Sequence, residues 1–166
     1  MANSESQPLL DDALASFVQG PVSIVAASRD ASCVPSAART LGCRVSADRW
    51  TVTLLLAQSQ SAELLADLRR GAPIAVVFCR PSTHQTIQLK GLRAELATAG
   101  AEGLALQNRY ASAYTEELAR VGRPKAFLAA LHETEPNDLV AVSFTPTAAF
   151  QQTPGPGAGV ALSPGR

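Results

Sequence analysis

The sequence predicts an α+β domain built on an antiparallel sheet or barrel, with helices set around it. Three observations carry this. Six short runs rich in apolar and β-branched residues are joined mostly by brief polar or glycine-bearing links. Helical periodicity occurs only between and after these runs. The regular strand–helix alternation of a dinucleotide-binding fold is missing. The 166 residues suit one domain over 1–152, followed by a Pro- and Gly-rich tail over 153–166.

In chain order, Leu10, Leu14, Phe17 and Val18 share one helical face, and Gly20-Pro21 ends that helix, which should cover an end of the sheet. Residues 22–27 (VSIVAA) form a strand, with turn residues Arg29 to Ser32 behind it. The next strand lies within 34–45, where Gly42 marks a bulge or a close approach. Asp48-Arg49 makes a tight turn into residues 50–56 (WTVTLLL), so 22–56 reads as an antiparallel meander. A Gln-Ser hinge then leads into a helix with Leu64, Leu65 and Leu68 inward. Glu63 and Asp67 sit toward its start, Arg69 and Arg70 occupy its last turn, and Gly71 follows.

Residues 74–79 (IAVVFC) are nearly all apolar, as in a strand covered on both faces. Pro81-Ser82 turns the chain into a long strand over 86–97, whose inward parity changes near Gly91, a bulge or bend where a sheet curls. Over 101–121, Leu106, Tyr110, Ala113, Tyr114, Leu118 and Val121 repeat at helical spacing, with Gly100 and Gly122 at the ends. A second, shorter helix is expected over 125–131 after Pro124. Residues 133–138 form an acidic loop, 139–144 (LVAVSF) a final strand, and 153–166 no regular element.

Lys plus Arg equals Asp plus Glu at 14 each, so the net charge of zero provides no broad attraction to nucleic acid or anionic membrane and little repulsion between copies. No apolar run has the length of a membrane span, and the first residues lack the basic start and apolar stretch of a signal peptide. Cys33, Cys43 and Cys79 are odd in number and unrelated in spacing, which predicts reduced thiols in a cytoplasmic protein, two of them buried.

Several chemistries find no motif. Gly155 to Gly159 is glycine-rich but lacks the strand before and the helix after that a dinucleotide fingerprint requires, and GxxxxGK[ST] and GxSxG are absent. His84 and His132 are far apart with no neighbour at ligand spacing, so no metal site is expected, and nothing local pairs a cysteine with either one. Glu133, Glu135 and Asp138 read as a solvated loop, and no residue stands out as a general acid or base.

Two features have both a structural and a functional reading. The hinge Gln58-Ser59-Gln60-Ser61 opens a helix, where free N–H groups and the helix dipole favour an anion such as phosphate, but where serines are also ordinary caps. Arg39 and Arg44 stand in a segment otherwise without charge. Five apart on a strand they face opposite ways unless a bulge at Gly42 restores them to one side. They are either surface charges or a bidentate clamp on a phosphate or flavin carbonyl.

Taken together and in order, the segments GPVSIVAASRD, VPSAARTLGCRV, WTVTLLL, QSQSAELLADLRRGAPIAVVF and THQTIQLKG, with the closing FTPTAAFQQTPGPGAG, resemble the pyridoxamine 5′-phosphate oxidase-like group of split β-barrel flavoproteins. The resemblance covers roughly residues 14 to 160. It implies an antiparallel split β-barrel with peripheral helices, a homodimer with FMN in clefts at the subunit interface, and an oxidoreductase acting on a small-molecule substrate. A non-catalytic dimer holding flavin or haem on the same scaffold is the alternative. By this resemblance Arg39 and Arg44 lie beside the flavin and its phosphate, Gln58, Ser59 and Ser61 form the phosphate turn, and Thr86, Gln88 and Lys90 lie along the ring or ribityl chain. The sequence departs from the family where two basic residues should follow the serine: Ala62 and Glu63 stand there. The Arg-Leu-x-Pro end that serves substrate in the oxidases is also replaced, by Val160-Ala161-Leu162-Ser163-Pro164, which argues against true pyridoxamine-phosphate oxidase activity.

Overall fold

A computed structural model describes residues 7–124 and 134–163. Helix α1 (Asp12–Val18) starts where the Asp11 carboxylate accepts a 2.7 Å hydrogen bond from the Leu14 N–H, an N-cap. Strands β1 (Ser23–Arg29), β2 (Pro35–Arg39), β3 (Cys43–Val45) and β4 (Val52–Ala57) follow, then a 3-10 turn (Gln58–Gln60) and helix α2 (Ala62–Arg69). Next come β5 (Ile74–Cys79), β6 (Thr86–Gly91), β7 (Glu95–Thr98) and the long helix α3 (Gly100–Arg120). A second 3-10 turn (Pro136–Asp138) leads to β8 (Leu139–Phe144), β9 (Ala148–Gln151) and β10 (Ala161–Leu162).

The strands form two antiparallel sheets, one in the order β10-β9-β6-β5-β1-β2 and one in the order β3-β4-β8-β7. One buried cluster joins their inner faces: Ile24, Ala26, Val76, Phe78 and Leu89 from the first sheet, and Val52, Leu54, Leu56, Val142 and Phe144 from the second. Leu64, Leu65 and Leu68 of α2 close one side of it, packing toward β1 and β2. A smaller cluster of Leu41, Leu55, Ala57 and Leu139 lies on the other face of the second sheet, with Leu104 and Leu106 of α3 packed against it.

The expected meander over 22–56 is divided between the sheets: β1 pairs with β2, β3 pairs with β4, and the chain crosses over between Arg39 and Cys43. Gly42 takes φ +151° in this crossing, a conformation L side chains rarely adopt. The expected long strand over 86–97 divides in the same way, β6 in one sheet and β7 in the other. Its turning point is Gly91, where a Cβ would lie 2.6 Å from the Phe144 ring, so the close approach of the two sheets demands glycine. The parity change in the sequence was a change of sheet.

Other expectations are corrected too. The 74–79 strand is not covered on both faces. Ile74, Val76 and Phe78 are buried, whereas Ala75, Val77 and Cys79 are only half-buried on the outward face. Residues 139–144 are not the final strand: β9 pairs with β6, and Ala161–Leu162 of the tail pairs with β9, satisfying its backbone groups despite the surrounding Pro and Gly. All three thiols are free, but only Cys43 is buried; Cys79 is half-buried and Cys33 exposed. Helix α3 turns inward along Gly103, Gln107, Tyr110, Tyr114 and Glu117, leaving Ala113 and Val121 exposed. The helix expected over 125–131 lies outside the described residues. Among the described residues no helix is long and apolar enough to cross a membrane.

Glu117 explains how α3 can bury a charge. Its carboxylate accepts hydrogen bonds from the Ser82 N–H (3.0 Å) and the Ser82 hydroxyl, and Arg120 lies 3.8 Å away. Burial works to raise its pKa, but the Ser82 bonds, helped by Arg120 and Arg80, hold the group below the usual carboxylate range. A depressed native pKa contributes stability above the unfolded-state value, and that stability is lost as the pH falls through the native one. Glu117→Gln is therefore expected to cost about 1–3 kcal/mol near neutral pH and to flatten the acid limb of a melting-temperature-against-pH profile. An unchanged profile would remove Glu117 from the account.

Candidate functional site

Strand register brings part of the predicted site together. Arg39 is opposite Val25, Val25 opposite Val77, Val77 opposite Gln88, and Gln88 opposite Phe150. Directly opposed residues share a face of the sheet, so these five side chains form one row. From Arg39 to Gln88 the row spans three strand spacings, about 14 Å. A neighbouring row on the same face runs Ala37, Ala27, Ala75, Lys90, Ala148, and on the other side stand Ser23, Cys79 and Thr86. None of these is buried, while their strand neighbours Ile24, Val76, Ile87 and Leu89 are. Arg39, Thr86, Gln88 and Lys90 thus lie on the outward face of the six-stranded sheet. Between them lies a floor of small and apolar side chains, with Val25 39% exposed. The Lys90 ammonium sits 4.9 Å from the centroid of the Phe150 ring, a cation–π contact at the edge of this face.

Arg39 and Arg44 do not share a strand. Arg44 stands on β3 in a row with Thr53, Ser143 and Glu95 on the outward face of the other sheet. Gly42 therefore does not restore them to one side of one strand; it lies where the chain changes sheet. The Arg44 guanidinium is 3.1 Å from the Glu102 carboxylate on α3. Arg39 is exposed and makes no ion pair among the described residues. Its charge reaches Tyr110, whose hydroxyl donates to the Val22 carbonyl at 2.8 Å: burial pushes that phenol's pKa up, and Arg39 pulls against it.

The hinge is more closed than the sequence suggests. Ala57 pairs with Leu139, so the 3-10 turns that follow β4 and precede β8 lie side by side. The Ser59 N–H donates to one Asp138 carboxylate oxygen at 2.8 Å, and the Ser59 hydroxyl donates to the other at 2.5 Å. Asp138, expected as part of a solvated loop, is thus an internal anion seated on the hinge. Ser61 is buried at the N-cap position of α2, but its hydroxyl makes no capping bond and has no hydrogen-bond partner. Gln58 is exposed, and Glu63 is an exposed acid in the first turn of α2. Asp138 and Glu102 were absent from the predicted site because their partners lie 79 and 58 residues away, beyond any local pattern.

Neither protein-family models nor curated protein sequences match the chain. Solved structures do. A Lactobacillus delbrueckii protein provisionally assigned as a pyridoxamine 5′-phosphate oxidase is 16% identical over 90% of this chain and 99% of its own, with a TM-score of 0.54. An F420 reductase is 16% identical over 84% and 98%, with a TM-score of 0.56. A Group A Streptococcus protein, HupZ, is 15% identical over 90% and 99%, with a TM-score of 0.54. Likeness at such identities is a likeness of fold, and the chain accordingly has the fold of the pyridoxamine 5′-phosphate oxidase-like proteins that its residue pattern resembles.

Proposed function

We propose that the chain is a split β-barrel flavoprotein of the cytoplasm, where its three free cysteines remain thiols. It would act as a homodimer with FMN held in clefts between the copies. The single observation that carries the reading is the outward face of the six-stranded sheet. Arg39, Thr86, Gln88 and Lys90 stand there around an apolar floor on central strands whose side chains are half-buried or exposed. A second copy packing on this face would remove apolar area from water and wall off a cleft lined by those polar groups.

The residues present fit a flavin in two respects: Arg39 lacks a counter-ion among the described residues, and the buried Ser61 hydroxyl lacks a partner. Thr86, Gln88 and Lys90 would orient the ring or ribityl chain, Arg39 would meet a ring carbonyl, and Ser61 would meet the end of the tail. Arg44, Ser59 and Gln58 complete the contact set, the first two only as Glu102 and Asp138 release them. When bound, the flavin would supply hydride or electron transfer, making the protein an oxidoreductase for a small substrate; the protein's part is binding, orientation and exclusion of water.

The test is the absorbance of the purified protein and quenching of flavin fluorescence on titration. A flavin spectrum, or saturable quenching at roughly micromolar FMN, supports the reading. Colourless protein with no quenching would sink it. Titration with F420, the cofactor named for one solved protein of the same fold, separates a flavin from a deazaflavin preference.

A further inference from the structure

We infer that Asp138 sets the ligand specificity of the hinge: its carboxylate occupies donors that a phosphate would use, so the site holds flavin with little preference for the phosphorylated form. This rests on the flavin reading above and concerns which flavin the site favours.

Both Asp138 oxygens are engaged, one by the Ser59 N–H and one by the Ser59 hydroxyl. The arrangement is anchored in the core, because the flanking pair Ala57 and Leu139 is in register and buried, at 3% and 5% exposure. A phosphate arriving at Ser59 would have to displace this carboxylate and would still meet it as a like charge nearby. Glu63, in the first turn of α2, adds a second negative charge where basic side chains would assist a phosphate. What remains is the buried Ser61 hydroxyl, a neutral group that donates or accepts equally well. A neutral hydroxyl suits an uncharged ligand tail bearing hydroxyl groups. The ribityl chain of riboflavin has them, and its end carries no charge.

Dissociation constants of FMN and riboflavin, measured by fluorescence quenching on the full chain, test this. The wild-type protein is expected to bind the two within about threefold of each other. Asp138→Ala should tighten FMN by about tenfold or more, since charge-assisted donors are released, and leave riboflavin unchanged. Asp138→Asn keeps an acceptor for Ser59 without the charge and should shift FMN the same way, guarding against a hinge that merely loosens. A wild-type preference for FMN above about tenfold, an Asp138→Ala effect equal on both flavins, or no effect on either overturns the inference while the flavin reading stands. Absence of binding of either flavin to any of the three proteins overturns both.

Discussion

Replacing Arg39 with alanine is expected to weaken binding of FMN and riboflavin alike by about ten- to a hundredfold, whereas Arg44→Ala should change it by less than about threefold. The two arginines look equivalent in the segment RTLGCR, and the difference arises from what each one faces. Arg39 presents an exposed guanidinium on the sheet face with no ion pair among the described residues, so a flavin ring carbonyl gains its full charge-assisted contact there. Arg44 already has Glu102 at 3.1 Å, and a flavin there would have to replace that carboxylate contact, at small net gain. Titration calorimetry of the two single variants measures the difference. Equal losses would mean that the Arg44–Glu102 pair opens in the complex, and no loss for Arg39→Ala would move the site elsewhere.

Val77→Glu is expected to convert a dimer into a monomer of 17.3 kDa and to abolish flavin binding with it. Val77 stands mid-row between Val25 and Gln88 on the outward face, so a carboxylate there would be buried unpaired in the proposed interface, a large penalty for association. Within one chain the same position is only half-buried, and the fold should lose no more than about 1 kcal/mol. Sedimentation or light scattering gives the mass, and thermal unfolding confirms that the monomer is folded. A dimer that survives Val77→Glu would place the interface on another face.

Much of the fold was legible because strand and helix periods are local. Residues 139–144 form β8 with the predicted bounds, and 74–79 form β5, since alternation or apolar density over six residues is enough to define a strand. Tyr110 and Tyr114 turn inward on α3, as their spacing requires. The two sheet crossings announced themselves only as glycines. Gly42 and Gly91 were readable as irregularities, but their consequence depends on a partner sheet that no local window contains. That α3 buries Glu117 was not legible, because Ser82, which satisfies its carboxylate, comes from a distant hairpin.

The hinge and the sheet face divide in the same way. The period of two along residues 86–90 already placed Thr86, Gln88 and Lys90 on one side of a strand, because alternate side chains of an extended backbone must point the same way. That Arg39 joins that side, three strands away, was decided by the register of β2, β1, β5 and β6. That Arg44 leaves it was decided by the change of sheet at Gly42. The serines of the hinge were plain in the sequence, but the anion opposite them was not. Pairing of Ala57 with Leu139 seats Asp138 on Ser59, and that contact spans 79 residues and is formed by the β4–β8 pairing rather than by any preference of the chain nearby.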